Sequence, residues 1–355
     1  MLHIDGSQRS GSGTVVRTAA VLATLLGRDI SLTNIRARRQ MSGLRPQHLK
    51  AVEALAAMTG ATLAGAGVGS SWLQVRRARA IRAGAYRWDI GSAGSTTLLA
   101  MTVLPLALYA DGSSRFRMTG GLFADFAPSA FHLRHVVLPT LYRMGVRADV
   151  EIVRPGYAPK GGGVLELTVR PVGARLSALV LGEQGRVVRV WGVALSSHLE
   201  DRRVSHRMAD RCRRRLADAG LDADIEVVYD RSAGQPGAAL AVFAETDTGC
   251  LLGADRAGAP GRRSETIADS VATMLLEDLG ARATVDRHLA DQLILYAALA
   301  EGTSTYVVPA VTEHVDTNCW LVESLLGAGI EWQDRVLRIH GVGFERSRAE
   351  RVVRS

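Results

Sequence analysis

Apolar and polar positions along the chain predict helices and strands in a repeated order. A short strand comes first, and each of the two helices that follow ends at a glycine. The elements predicted for this unit are a strand at 2–4, a helix at 13–26, a strand at 30–35, a helix at 47–59 and strands near 61–63 and 72–76. The predicted order is therefore βαβαββ.

The same order of elements returns in a second copy, and a third copy, for which no first strand is predicted, is recognisable near the end of the chain. The second copy is predicted as a strand at 86–90, a helix ending near 109, a strand at 114–118, a helix at 129–144 and strands at 148–154 and 164–170. The third is predicted as a helix at 286–300, a strand at Thr305–Val311, a helix at Val315–Leu326 and strands near 330–332 and 336–339. Helix, glycine and strand recurring at similar spacing indicate a repeat protein.

An additional block separates the second and third copies. Its elements are predicted as strands at 187–195, 225–229 and 240–245 and helices at 203–219 and 265–279. We expect residues 183–279 to form a small inserted α/β domain, and residues 1–182 and 280–355 to form one large domain. The stretch 249–263 is rich in Gly, Ala and Arg, which is typical of a mobile loop. The predicted fold class is α/β, with three βαβαββ repeats and an insertion.

Composition narrows the class of protein. The chain has 355 residues, of which 47% are hydrophobic and 22% charged, as in globular proteins. The longest apolar run, 98–108, is too short to cross a bilayer, and no signal peptide is visible, so we expect no membrane partner. Three scattered cysteines favour a reducing cytoplasm. The sequence gives no indication of the oligomeric state.

The net charge of +8 is carried almost entirely by arginine, since the chain has only two lysines, Lys50 and Lys160. Arginine forms forked hydrogen bonds to phosphate, which favours a polyanionic partner such as nucleic acid. A GC-rich genome also favours arginine over lysine. On composition alone the two explanations carry equal weight.

His314 stands out as a candidate nucleophile. The predicted strand before it and the predicted helix after it place it in a strand-to-helix turn, where a side chain can meet a phosphate at a helix N-terminus. Imidazole is largely uncharged at neutral pH and is then a good nucleophile. Taken by itself, this stretch more often contains a histidine that simply caps a helix.

Four loops could bind phosphate in the same way. They are the Gly- and Ser-rich 5–13, the arginine-rich 36–48, the helix entry 91–95 and the Gly-rich 154–163. Singly, each is more often a cap, a turn or a solvated surface. Together with a basic chain and an exposed histidine, they favour binding of nucleotide and nucleic-acid phosphates at one site.

These motifs resemble the RNA 3′-terminal phosphate cyclase family. The matching segments are Asp5-Gly6-Ser7-Gln8, Ile35-Arg36-Ala37, Gly43-Leu44-Arg45-Pro46-Gln47-His48-Leu49, Gly91-Ser92-Ala93-Gly94-Ser95, Val103-Leu104-Pro105, Ala110-Asp111-Gly112, Gly161-Gly162-Gly163, Leu289-Ala290-Asp291-Gln292 and His314 with Thr317-Asn318. They span nearly the whole chain in the family's order. The resemblance implies three βαβαββ repeats with a small inserted domain.

The resemblance also implies a reaction and its residues. ATP would adenylylate His314, AMP would pass to an RNA 3′-phosphate, and the 2′-hydroxyl would close a 2′,3′-cyclic phosphate. The residues implied to contact the adenylate or its phosphates are Arg17, Arg39, Gln47, Pro128, Asp291 and Gln292. The arginines expected to meet RNA phosphates are Arg36, Arg38 and Arg45. The cofactors implied are ATP and a divalent metal, Mg²⁺ or Mn²⁺.

The sequence departs from the family pattern at four positions. Ser10 stands where a glutamate usually helps hold the metal, so the metal ligands stay unassigned. Met101 replaces a glutamine, Leu122 a threonine and His288 a tyrosine. These changes bear on metal use, ATP affinity and substrate choice, and they leave His314 in place.

Two alternatives stay open at this stage. A branch of the family that lacks the histidine serves in ribosome assembly, so a non-catalytic RNA-binding role is the second hypothesis. Retention of His314 argues against this role, and the loss of the acidic metal position argues for it. A small-molecule enzyme resembling enolpyruvyl transferases is the third. The His314 turn and the run of matching motifs disfavour it.

Overall fold

The computed structural model describes residues 1–345 except 77, 79, 126 and 174. The first repeat consists of β1 (Leu2–Asp5), α1 (Gly13–Leu25), β2 (Ile30–Thr33), α2 (Pro46–Thr59), β3 (Thr62–Ala64) and β4 (Leu73–Arg76). The second consists of β5 (Ala85–Asp89), α3 (Thr96–Ala107), β6 (Ser114–Gly120), α4 (Ala130–His132), a π-helical turn (Leu133–Val137), α5 (Leu138–Arg143), β7 (Arg147–Arg154) and β8 (Gly163–Arg170).

The rest of the chain contains an insertion and the third repeat. A two-residue strand, β9 (Val180–Leu181), precedes the insertion. The insertion consists of β10 (Val187–Ser197), α6 (Val204–Ala217), β11 (Asp224–Asp230), β12 (Gly237–Thr246), β13 (Leu251–Ala257) and α7 (Ser264–Gly280). After it come α8 (Leu289–Leu299), β14 (Glu301–Val307), α9 (Glu313–Leu326), β15 (Gly329–Gln333) and β16 (Val336–Val342).

Among the described residues, three of the four sheets have the same topology. Their strand orders are β1-β2-β4-β3, β5-β6-β8-β7 and β9-β14-β16-β15. In each, the first pair is parallel and the other two pairs are antiparallel. The predicted α/β fold class with three βαβαββ repeats is confirmed.

The topology also locates the insertion within the third repeat. β9 pairs with β14 through only two residue pairs, Val180 with Thr305 and Leu181 with Tyr306. A strand of two residues is too short to show alternation, which is why the sequence did not reveal it. The insertion therefore follows the first strand of that repeat. We propose that residues 1–182 and 280–355 together form the large domain and that residues 183–279 form the inserted domain.

Three element predictions are wrong. The stretch 249–263, expected to be a loop, contains β13, because small Gly and Ala residues concealed a strand that pairs with β12. The strand expected at Thr305–Val311 is β14, Glu301–Val307, and Pro309, which has no N–H to donate, lies beyond its end. The helix expected over 129–144 is interrupted by the π-helical turn.

The helices carry the largely apolar surfaces that build the core. Eleven of the 13 residues of α1 are buried, and α1 packs against α2, α3 and α9. Burial of this helix between others places its N-terminal end beside the N-terminal end of α9. Among the described helices, none has the length and apolar character needed to cross a bilayer.

Candidate active site

His314 lies in the first turn of α9. The helix begins at Glu313, two residues earlier than the sequence predicted, and Thr312 caps it by accepting a hydrogen bond from the Val315 amide. The first-turn amides of a helix carry a partial positive charge, which favours an anion. His314 is therefore placed where a phosphate would be stabilised.

The N-terminal ends of α1 and α9 are joined side by side. The Ser10 amide donates to Thr317 Oγ1 at 3.1 Å, and Thr18 Oγ1 donates to Asn318 Oδ1 at 3.0 Å. Between these bonds, Thr14 Oγ1 lies 3.2 Å from His314 Nδ1. The nucleophile candidate is thus held by a residue of the first repeat.

A cavity of about 520 Å³ opens in front of His314. Its volume lies in the range typical of small-molecule sites. The lining residues come from all three repeats: Ser12, Gly13, Thr14, Arg17, Arg36, Arg39, Gln47, His48, Leu98, Asp125, Ala127, Pro128, His288, Asp291, Gln292 and His314. Gly13 is required here, because a Cβ on it would lie 2.0 Å from His48 Nε2.

The cavity brings together the residues predicted to contact the adenylate. Arg17, Arg39, Gln47, Pro128, Asp291, Gln292 and His314 all line it. Among the arginines predicted to meet RNA, Arg36 also lines it, whereas Arg38 and Arg45 do not. Arg38 is exposed and donates to the Arg9 carbonyl, and Arg45 lies at the start of α2. These two residues therefore lie outside the cavity wall.

The surroundings of His314 favour its neutral ring. His314 lines the cavity, and desolvation by the surrounding walls is the largest cause of its lowered pKa. The charges of Arg17 and Arg39 lower this pKa further. Arg39 is itself held by the Ser10 carbonyl, to which it donates at 2.7 Å. A neutral imidazole beside two guanidinium groups suits nucleophilic attack on a phosphate.

Arg17 and Asp291, which also line the cavity, both have shifted pKa values. Burial lowers the pKa of Arg17 to about 10, so it stays charged at neutral pH. Burial raises the pKa of Asp291 to about 7, although Gln292 and Arg17 both oppose that rise. Gln292 Nε2 donates to Asp291 Oδ1 at 3.1 Å. Shifted pKa values gathered in one cavity are typical of functional sites.

Comparisons with known proteins identify the family of this chain. A sequence profile described as RNA 3′-terminal phosphate cyclase matches residues 8–332. This chain belongs to that family. A protein of that name from Methylococcus capsulatus is 40% identical over 96% of this chain and 97% of its own length. One from Pyrobaculum aerophilum is 36% identical over 97% and 99%, respectively.

A solved structure of the enolpyruvyl transferase NikO from Streptomyces tendae is also similar. The likeness has a TM-score of 0.41 at 13% identity, and it covers 96% of this chain and 48% of that one. This likeness is too weak to support an argument about function. The cyclase family assignment rests on sequence.

Candidate metal ligands are not clustered in the described part of this cyclase family member. They contain no cluster of three or more His, Cys, Asp or Glu side chains arranged to hold an ion. Ser10 is buried, its hydroxyl lies 3.0 Å from that of Ser12, and it does not line the cavity. The neighbouring Arg9 is paired with Asp316 at 3.2 Å. Ser10 therefore offers no carboxylate to a divalent ion.

Sequence reasoning missed several residues of the cavity wall. Thr14, Ser12, His48 and Asp125 line it but were not predicted as site residues. Ser12 lies in the Gly- and Ser-rich loop 5–13, which the sequence predicted to meet a phosphate through its backbone, and its side chain was not singled out. Thr14 gave no signal, because its contact with His314 joins residues 300 positions apart. Of the other loops, 91–95 contributes no residue to the cavity wall, but its Ser95 amide donates a hydrogen bond to Gln47 Oε1, and Gln47 lines the cavity.

Proposed function

We propose that this protein is an RNA 3′-terminal phosphate cyclase, which uses ATP to convert an RNA 3′-phosphate into a 2′,3′-cyclic phosphate. The observation that carries the proposal is a neutral His314 at a helix N-terminus, facing a cavity lined by the three arginines Arg17, Arg36 and Arg39. The cytoplasm is the proposed compartment, in keeping with three cysteines that are free and buried.

Adenylylation is the first proposed step. Thr14 Oγ1 and His314 Nδ1 lie 3.2 Å apart, and the proposed step uses the tautomer in which Nδ1–H donates to Thr14 Oγ1 and the lone pair of Nε2 is free. Nε2 attacks the α-phosphorus of ATP, the bond to the β-phosphate oxygen breaks, and pyrophosphate leaves. Arg17 and Arg39 offset charge on the phosphate oxygens as it develops. Gln47, Pro128, Asp291 and Gln292 would hold the rest of the nucleotide.

The next two steps transfer AMP and then close the ring. An oxygen of the RNA 3′-phosphate attacks the α-phosphorus, and the phosphorus–nitrogen bond breaks, which regenerates His314. The adjacent 2′-hydroxyl then attacks the 3′-phosphorus, AMP leaves, and the hydroxyl proton is released. The anhydride supplies a leaving group that a free phosphate lacks. A divalent ion is an expected companion of ATP, bound mainly to its phosphates.

The direct test is incubation with ATP labelled in the α-phosphate, followed by denaturing gel electrophoresis. The proposal expects label on the protein that is lost in acid and retained in alkali, as a histidine phosphoramidate should be. A chain that binds RNA with a 3′-phosphate but takes no label would instead be the non-catalytic member considered above. This second function is considered because Ser10 offers no carboxylate at the position where the family usually has one.

Thr14 should set the reactive tautomer of His314. Thr14→Val keeps the shape of the side chain but removes the oxygen that receives Nδ1–H, so we expect His–AMP formation to slow about 10- to 100-fold. Thr14→Ser keeps the hydroxyl and should retain most of the rate. The measurement is the single-turnover labelling rate at saturating ATP. Equal rates for the Val and Ser variants would contradict this role.

The pH profile should reflect the lowered pKa of His314. The neutral ring is the nucleophile, so the labelling rate should hold its plateau through the ordinary histidine value of about 6.5 and fall only at lower pH. Arg39→Ala removes one cause of the lowering and should move this acid limb to higher pH. Because Asp291 also titrates near 7, each profile is repeated in an Asp291→Asn background. An unmoved limb would disprove the coupling.

Arg38 and Arg45 should bind the RNA strand outside the cavity. Replacing both with Ala should weaken binding of RNA with a 3′-phosphate and reduce the slope of log affinity against log salt by about 1.4, since each single-strand contact contributes about 0.7. Fluorescence anisotropy over a salt series measures this slope. Replacing the exposed Arg28 and Arg214 is the control. An unchanged slope in the Arg38/Arg45 variant would refute this placement.

A further inference from the structure

A buried ion pair lies behind the cavity wall. His132 of α4 and Asp286, just before α8, are both fully buried, and His132 Nε2 lies 2.9 Å from Asp286 Oδ2. The proposed reaction makes no direct use of either residue, and neither lines the cavity. Burying two charges is costly unless their partners are well placed, so an arrangement of this kind calls for an explanation.

Asp286 accepts four hydrogen bonds from three parts of the chain. Besides His132, the Gly253 amide donates to Oδ2 at 2.8 Å, and the His288 and Leu289 amides each donate to Oδ1 at 2.8 Å. A carboxylate has about four acceptor positions, so its capacity is filled. The carboxylate thereby joins α4 of the second repeat, β13 of the insertion and the start of α8.

Each partner favours the charged form of the other. Burial by itself would raise the pKa of Asp286, but the charge and hydrogen bond of His132 lower it to about 2. Burial likewise opposes protonation of His132, and Asp286 overcomes that effect and raises its pKa. His132 Nδ1 is buried without a hydrogen-bond partner among the described residues. The bond to Asp286 is therefore the polar anchor of this ring.

The His132–Asp286 pair holds the start of α8 in position. The amides of His288 and Leu289 are bound to Asp286, and one turn later Asp291 and Gln292 enter the cavity wall. The His288 ring, also in the wall, packs edge-on against the His132 ring, with centroids 5.7 Å apart. By contrast, His314 is held on α9 by Thr14, independently of this carboxylate.

We propose that His132 and Asp286 are positioning residues that set the nucleotide-binding wall formed by His288, Asp291 and Gln292. This inference rests on the proposed function, since that wall is taken to hold ATP. The inference also connects the insertion to the site, because the Gly253 amide on β13 donates a hydrogen bond to the Asp286 carboxylate. A Cβ at Gly253 would lie 3.2 Å from His132, so the close approach suits glycine.

Two amide substitutions at His132 separate positioning from simple stability. His132→Gln places an N–H₂ near the position of Nε2, whereas the amide of His132→Asn is one bond too short to reach Asp286. Both remove the same charge and ring. We expect His132→Asn to raise the ATP concentration for half-maximal His–AMP formation at least 10-fold, with the saturating rate per folded molecule within about threefold of wild type. His132→Gln should restore that concentration to within about threefold of wild type.

The outcomes are distinct. The half-maximal ATP concentration is determined for wild type and both variants, with the folded fraction taken from near-ultraviolet circular dichroism. An unchanged half-maximal concentration in His132→Asn, or equal defects in the Asn and Gln variants, would overturn the positioning role. If wild type takes no label at all, the proposed function fails. Equilibrium titration with ATP then tests the pair, and equal affinities for wild type and His132→Asn would overturn it.

Discussion

His314→Ala is expected to abolish labelling of the protein by ATP labelled in the α-phosphate. The substitution removes the one protein atom proposed to form a bond to phosphorus, His314 Nε2, so no covalent protein adenylate can accumulate. Because His314 is exposed to the cavity and makes one side-chain hydrogen bond, to Thr14, the fold should be little affected. A loss of at least 10³-fold is expected, consistent with removal of a nucleophile.

The control for this variant is His340→Ala. His340 lies on β16 in the same repeat, where its ring contacts Glu331 and Thr303. It does not line the cavity, so its removal should leave labelling near the wild-type rate. Label that persists in His314→Ala would remove His314 from the mechanism, whatever the control shows.

Arg17→Ala is expected to lower the rate of His–AMP formation by about 10²- to 10³-fold, the usual effect of removing one preorganised donor to a developing charge. Arg17 reaches the cavity from the second turn of α1 and is one of the charges that keep His314 neutral. Its loss also removes a charge that opposes the raised pKa of Asp291, so that carboxyl should become harder to ionise.

Arg28→Ala is the matched control for Arg17→Ala. Arg28 is exposed just beyond the other end of α1, about 15 to 20 Å away for a helix of this length. Single-turnover labelling at saturating ATP should separate the two variants, and thermal melts should show both folded. A full rate in Arg17→Ala would show that this guanidinium does not act on the phosphate.

Local patterns predicted much of the fold because most elements carry their own signals. Gly60 and Gly327 end helices in the left-handed conformation, as their positions after helical patterns indicated. The failures had local causes as well. β9 is too short to show a period, and β13 is built from small residues that resemble a loop. The π-helical turn reflects tertiary packing, which no local pattern records.

The family resemblance supplied the residues predicted to contact the nucleotide, and the structure places them in one cavity. The sequence could not predict the contacts between distant parts of the chain. Thr14 with His314, and His132 with Asp286, join positions 300 and 154 residues apart. Such pairs follow from how the repeats pack, so a single sequence contains no periodic or spacing signal for them.

The central claim is that the chain forms a 2′,3′-cyclic phosphate at an RNA 3′ end at the expense of ATP. The most direct test incubates wild-type protein with ATP and an oligoribonucleotide whose 3′-phosphate is labelled, and then treats the product with phosphatase. We predict that the label becomes resistant to phosphatase in wild type and stays sensitive in His314→Ala. A folded wild-type protein that binds this RNA and ATP but leaves the label fully sensitive would contradict the claim.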